Sequence, residues 1–184
     1  MTGVMHRTLE TNGIYMHVAE QGVGPLVILC HGFPESWYSW RHQLSALAEA
    51  GFHAVAPDMR GYGQTDRPDE LEQYTLLHLV GDMVGLLEAL RAESAVIAGH
   101  DWGGPVAWCA ALLRPDRFRG VIGLSVPFWP RGPVRPSTVM PQTDDALFYQ
   151  LYSQLTIDWL LTLRSRQVAG PHRPTWQMSS SPLD

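Results

Sequence analysis

One aspartate, Asp101, lies among glycines in a short segment whose residue types suit nucleophilic chemistry. The segment reads Gly99-His100-Asp101-Trp102-Gly103-Gly104. Residues 95–98 before it are apolar, as in a buried strand, and residues 105–113 after it are apolar over the length of a helix. Glycines at 99 and 103 remove the Cβ atoms that would collide in a sharp turn between these elements. We therefore expect the turn to present the Asp101 side chain at the carboxyl end of a sheet.

A carboxylate in this turn indicates displacement of a leaving group at a saturated carbon. The product is an ester between the substrate and Asp101, which water must then hydrolyse. Because the oxyanion of that second step forms on Asp101 itself, backbone N–H groups must converge there. We expect one from Trp102, which follows the nucleophile, and one from Phe33, in the loop after an apolar strand at residues 26–30. The alternative reading of Asp101 is an N-cap of the helix that follows it.

Four motifs, in one order along the chain, resemble those of the α/β-hydrolase-fold epoxide hydrolases. They are HGFPESWYSWR at 31–41, DMRGYGQT at 58–65, GHDWGG at 99–104 and FYQLY at 148–152. Any one of them is weak evidence, since similar short motifs recur across hydrolases and dehalogenases. Together they predict family membership over residues 8–154, and no resemblance is found over residues 164–184.

The resemblance implies that Asp101 attacks an epoxide carbon while two lid tyrosines hydrogen-bond the epoxide oxygen. Tyr149 is carried over as one of these tyrosines, with Tyr152 as the alternative. A histidine oriented by an acid then activates the water that releases a vicinal diol. Phe33 and Trp102 carry over as the oxyanion-hole donors, and the supporting motif residues are His31, Gly32, Pro34, Gly99, His100, Gly103 and Gly104. No cofactor and no metal are implied, and the expected partners are a small apolar epoxide and water.

The catalytic acid and histidine of the family follow the lid, and this sequence offers poor candidates for both. Residues 117–143 contain no Asp or Glu, and the only histidine after the GHDWGG motif is His172, beside Gly170 and Pro171. General-base catalysis needs a firmly held group, so we do not expect His172 to serve. We therefore expect a truncated epoxide hydrolase that is inactive or impaired as given. The alternatives are a haloalkane or haloacid dehalogenase, which shares the aspartate ester, and a non-catalytic remnant; Phe33, where dehalogenases usually place Asn, disfavours the dehalogenase.

Alternation of strands and helices predicts an α/β-hydrolase fold: a mostly parallel sheet with helices on both faces, incomplete after the start of the lid. Expected strands are 8–10, 14–19, 26–30, 53–57, 95–98 and 120–125, and expected helices are 40–50, 76–90 and 104–113. We expect the core at 1–126 and the start of the lid at 127–163. Residues 164–184, with prolines, arginines and a triple serine, predict a disordered or out-of-frame tail.

Composition excludes several other classes of function. A net charge of −5 and a pI near 5.9 argue against binding to nucleic acid or to an anionic membrane. No apolar run is long enough for a membrane span, and residues 1–21 lack a signal-peptide core. Cys30 and Cys109 fall in predicted buried elements, which indicates reduced thiols. We expect a soluble, cytoplasmic protein with no nucleic-acid or membrane partner, and leave the oligomeric state open.

Overall fold

Six strands form one sheet in the part of the chain that this computed structural model describes, residues 3–128. The strands are β1 Met5–Thr11, β2 Ile14–Gln21, β3 Leu26–Cys30, β4 His53–Pro57, β5 Ala95–His100 and β6 Phe118–Leu124. Their order across the sheet is β1-β2-β4-β3-β5-β6. β2 pairs antiparallel with both β1 and β4, whereas the pairs β4–β3, β3–β5 and β5–β6 are parallel. The predicted mostly parallel sheet is confirmed.

Helices cover both faces of this sheet, also as predicted. They are α1 Arg41–Glu49, α2 Leu76–Ala89 and α3 Gly103–Leu113, with 3₁₀ turns at Trp37–Trp40 and Leu71–Tyr74. The side chains of α2 and α3 pack into one buried cluster, whereas Trp40 and Leu44 pack into a second cluster. Two cores on opposite faces therefore hold the sheet between them.

The central strand β3 shows why the sequence folds in this way. All five of its residues are buried. Because successive side chains of a strand point to opposite faces, Leu26, Ile28 and Cys30 join the first cluster, while Val27 and Leu29 join the second. An unbroken apolar run is typical of a parallel strand covered on both sides.

Some element boundaries differ from the predicted ones for local reasons. The helix expected from residue 40 begins at Arg41, because Trp37–Trp40 form a 3₁₀ turn in which Ser36 accepts a hydrogen bond from the Tyr38 N–H. β5 continues past residue 98 to His100, since the ladder to β6 extends to the pair His100↔Leu124. β6 begins at Phe118 rather than residue 120, and Phe118 is buried.

Tyr149, most of the predicted lid segment and the predicted tail lie outside the described residues. Their assignments remain predictions. Within residues 3–128, no helix is both long enough and apolar enough to cross a membrane.

Candidate active site

Asp101 has a backbone conformation that residues other than glycine rarely adopt. Asp101 has φ +49°, between the end of β5 and the start of α3. A Cβ added at Gly99 would lie 2.1 Å from the Gly103 carbonyl oxygen, and one added at Gly103 would lie 2.2 Å from the Cys30 carbonyl oxygen. Both glycines are therefore required by close backbone packing. Non-glycine residues held in such a conformation are concentrated at functional sites.

The Asp101 side chain does not cap the helix that follows it. The N-cap of α3 is Trp102, and the helix has no side-chain capping hydrogen bond. The alternative interpretation of Asp101 as a structural cap is thus not supported. The carboxylate still lies beside a helix N-terminus, where the helix dipole favours a negative charge.

Phe33 and Asp101 meet across two separate loops. The Phe33 N–H donates a hydrogen bond to Asp101 Oδ1 at 2.9 Å. Gly32 permits this approach, because a Cβ there would lie 2.5 Å from Asp101 Cβ and 2.7 Å from Oδ1. The peptide bond between Phe33 and Pro34 is cis.

The second expected donor, Trp102, does not complete this arrangement. Among residues 3–128, no hydrogen bond joins the Trp102 N–H to the Asp101 carboxylate, and Oδ2 accepts none. The side chains of Trp102 and Phe33 are 43% and 52% exposed. Both residues therefore expose apolar surface in the loops after β3 and β5.

His31 is buried and bridges two loops. Its Nε2 accepts a hydrogen bond from the Met59 N–H at 3.0 Å, and its Nδ1 lies 2.8 Å from the Gly32 carbonyl oxygen. A nitrogen that faces an N–H must carry a lone pair, so the proton is on Nδ1 and the ring is neutral. Burial lowers the pKa of His31, which favours the same state. Both ring nitrogens are thereby occupied, and within the described part of the chain no group of three or more His, Cys, Asp or Glu is placed to hold a metal.

Glu35 is a residue of this site that sequence reasoning did not single out. Its carboxylate accepts the Gly32 N–H at 3.0 Å, and its own N–H donates to the Gly32 carbonyl at 3.1 Å. The carboxylate also faces His100 Nδ1 at 3.4 Å. Both side chains line a cavity of about 230 Å³, together with Ser39, Trp40, Gln43 and Leu124. The signal available in the sequence for this role was an acidic residue three positions after Gly32.

Asp58 connects the neighbouring loops to β2. Its buried carboxylate accepts hydrogen bonds from the Trp37 and Gln64 N–H groups at 2.9 and 3.0 Å and lies 2.8 Å from His17 Nδ1. The nearby Arg60 instead pairs with Asp82 of α2, with Nε 2.9 Å from Oδ2. Asp58 thus fixes the loops after β3 and β4 relative to each other.

A comparison with known families assigns the fold. Residues 25–176 match the family described as the alpha/beta hydrolase fold. The chain belongs to this α/β hydrolase family. The sharp strand-to-helix turn after β5 and the loop after β3 are therefore those of an α/β hydrolase, at the carboxyl ends of parallel strands.

This α/β hydrolase is similar to several epoxide hydrolases. It is 46% identical over 180 residues to an epoxide hydrolase of Caballeronia sordidicola, covering 98% of this chain and 55% of that protein. Epoxide hydrolase A of Mycobacterium tuberculosis is 50% identical over 151 residues, covering 80% of this chain and 47% of that protein. A crystal structure of an epoxide hydrolase from Vigna radiata matches with a TM-score of 0.71 at 52% identity, over 75% of this chain and 43% of that one. The predicted resemblance is confirmed, and the chain spans about half the length of the curated relatives it matches.

The resemblance extends further along the chain than the motifs predicted. The family match reaches residue 176, and the Caballeronia alignment covers 98% of the chain. The Mycobacterium tuberculosis alignment covers 80% of the chain, so the relatives differ in how far beyond the motifs they match. The assignment of residues 164–184 as a disordered or out-of-frame tail stays a prediction.

Proposed function

We propose that this α/β hydrolase opens small apolar epoxides with Asp101 as the nucleophile. The observation that carries the proposal is the hydrogen bond from the Phe33 N–H to Asp101 Oδ1, at 2.9 Å. It occupies one carboxylate oxygen and leaves Oδ2 for attack. The exposed apolar surfaces of Phe33 and Trp102, in the loops after β3 and β5, suit an apolar substrate.

In the first step, Asp101 Oδ2 forms a bond to one epoxide carbon while the bond from that carbon to the ring oxygen breaks. The electron pair of the broken bond moves to the ring oxygen, which takes a proton from a tyrosine. The resemblance to the family assigns this role to Tyr149, whose phenol is a suitable donor. The product is a hydroxyalkyl ester of Asp101.

In the second step, water attacks Cγ of Asp101 and loses a proton to a general base. Negative charge then develops on Oδ1, the atom that already accepts the Phe33 N–H, and the Trp102 N–H is the proposed second donor. Collapse of this intermediate breaks the bond between Cγ and the ester oxygen, and the departing alkoxide takes the proton held by the base to give a vicinal diol. The proton left on the Asp101 carboxyl group returns to the tyrosinate formed in the first step. The Phe33 N–H therefore stabilises the second step more than the first, because negative charge develops on Oδ1 in the second step.

The second step needs a base that residues 3–128 do not place on Asp101. In that part of the chain, no histidine hydrogen-bonds the Asp101 side chain, and His100 Nδ1 is directed toward Glu35. General-base catalysis is worth about 10² to 10⁴ in rate. We propose that the 184-residue chain forms the ester and hydrolyses it slowly or not at all.

Incubation with styrene oxide tests both steps. Intact-mass spectrometry of the chain should show one adduct, and peptide mapping should place it on Asp101. The Asp101→Asn variant should form none, because an amide is a poor nucleophile, while Asp116→Asn, which alters an exposed carboxylate, should react like the parent chain. An adduct at another residue would refute Asp101 as the nucleophile. Halide release from a haloalkane without epoxide opening would favour the dehalogenase.

A further inference from the structure

One peptide group, between Gly32 and Phe33, joins the oxyanion contact to His31. Its N–H is the Phe33 donor to Asp101 Oδ1, at 2.9 Å. Its carbonyl oxygen, on Gly32, accepts two hydrogen bonds: one from His31 Nδ1 at 2.8 Å and one from the Glu35 N–H at 3.1 Å. Both ends of the same peptide group are thus occupied.

Two donors on a carbonyl oxygen affect the N–H at the other end of the peptide group. They fix the plane of the group, and therefore the direction in which the N–H points. They also draw electron density toward the oxygen, which makes the N–H a stronger donor, as in other chains of hydrogen bonds. A donor fixed in advance needs no reorganisation when charge develops on Oδ1.

The His31 ring can act only in one orientation and one tautomer. The Met59 N–H, 3.0 Å from Nε2, requires a lone pair on that nitrogen and leaves the proton on Nδ1. The edge-to-face contact with Tyr62, at 5.0 Å between ring centroids, restrains the ring further. The Met59 contact therefore determines that Nδ1 is the donor to Gly32.

The geometry points to His31 as a positioning residue of the oxyanion hole, which orients and polarises the Gly32–Phe33 peptide group so that the Phe33 N–H is directed at Asp101. This inference rests on the proposed function, since it concerns the charge that develops on Oδ1. It goes beyond a merely structural bridge between the loops after β3 and β4. A bridge needs the Met59 contact, whereas positioning needs the Gly32 contact.

Two substitutions separate these contacts. The side-chain amide nitrogen of Asn lies close to the position of His Nδ1, so His31→Asn can keep the donor to Gly32 while losing the acceptor for Met59. The longer Gln reaches the position of Nε2, so His31→Gln can keep the Met59 contact while losing the Gly32 donor. Thermal unfolding monitored by circular dichroism verifies that each variant is folded.

The Phe33 amide proton shift, measured by ¹H–¹⁵N NMR of the full chain, is a readout that does not depend on activity. We expect this resonance to move upfield in His31→Gln and to stay near its parent position in His31→Asn. Hydrolysis of the Asp101 ester is the step in which charge develops on Oδ1, and its rate is measured as loss of the adduct mass after styrene oxide is removed. This rate should fall about fivefold in His31→Gln, which corresponds to about 1 kcal/mol, and should be retained in His31→Asn.

Each outcome bears on one hypothesis. Suppose that the Phe33 amide shift and the rate change in His31→Asn but stay at their parent values in His31→Gln. His31 is then only a bridge, and the inference is overturned. Equal behaviour of the two folded variants overturns it too. If the parent chain forms no adduct at all, the proposed function fails, and the Phe33 shift still decides whether His31 positions the peptide group.

Discussion

The backbone N–H of Phe33 lies 2.9 Å from the carboxylate of Asp101, although 68 positions separate the two residues in the chain. They meet because β3 and β5 are adjacent and parallel, in register from Leu26↔Ala95 to Cys30↔Gly99. The carboxyl ends of parallel neighbours lie at the same edge of a sheet, which is where ligands bind in open α/β folds. The order of the strands in the sheet therefore determines where the site lies, whatever side chains the loops carry.

The closeness of Gly32 to Asp101 gives the first prediction. We expect Gly32→Ala to displace the Asp101 side chain, since the added Cβ would lie 2.5 Å from Asp101 Cβ. The rate of adduct formation with styrene oxide, followed by mass spectrometry, should fall at least tenfold, about 1.4 kcal/mol. Gly120→Ala is a matched control in β6, where the added Cβ would meet Val96 at an ordinary 3.5 Å. Equal rates in the two variants would contradict the prediction.

The buried pair Arg60 and Asp82 gives a prediction about stability. Asp82 accepts Arg60 Nε at 2.9 Å and Asn12 Nδ2 at 2.8 Å, and both charged side chains are at most 1% exposed. Asp82→Asn would leave the Arg60 charge buried without a counter-charge, which typically costs about 3–5 kcal/mol. Urea denaturation should show this as a lower midpoint.

Asp116→Asn is the control for that experiment. It removes the partner of Arg114 in an exposed ion pair, with side chains 38% and 58% exposed. Exposed pairs contribute little, so the unfolding midpoint should not change measurably. A comparable loss of stability in both variants would mean that general charge effects, and not burial, govern the Arg60 pair.

Accessibility of the two thiols provides a third prediction. Burial raises the pKa of Cys30 to about 12, and burial also raises the pKa of the half-buried Cys109. Because the thiolate is the reactive form, Cys30 should not react with Ellman's reagent at pH 8 in the folded chain. Cys109→Ser isolates Cys30, and its single thiol should become reactive only when urea is added. Rapid reaction in the absence of urea would show that β3 is not buried.

The contact between the Asp101 turn and the Phe33 loop was predictable because each lies in a contiguous motif. The elbow around Asp101 and the donor loop with Phe33 are each encoded within about six residues, and glycine spacing reveals both. The strand and helix assignments followed from apolar runs such as that of β3. Their ends were less accurate, since pairing with β6 and the 3₁₀ turn before α1 are decided by neighbours in space.

Partners that come from distant segments were not predictable. The sequence places Arg60 two positions after Asp58, which makes it the nearest cation along the chain for that carboxylate. The backbone donors to Asp58, however, are the N–H groups of Trp37 and Gln64, while Arg60 extends to α2. The partner of a long side chain depends on which groups the fold brings near it, and the neighbouring sequence does not contain that information.

The stability of the chain should depend on pH through His31, which is the last prediction. Burial lowers the pKa of this ring from its ordinary 6.5, although Asp58 and Glu35 nearby oppose the shift. Below pH 6.5 the unfolded chain therefore binds a proton that the folded chain does not, so the free energy of unfolding falls as pH falls. Protonation of Nε2 would also oppose the Met59 N–H. Urea unfolding between pH 7.5 and 5, as approximate limits, should show a steeper loss of stability in the parent chain than in His31→Gln, which cannot titrate there. If the free energy of unfolding depends on pH in the same way in both proteins, His31 binds its proton equally well in the folded and unfolded states, and the prediction fails.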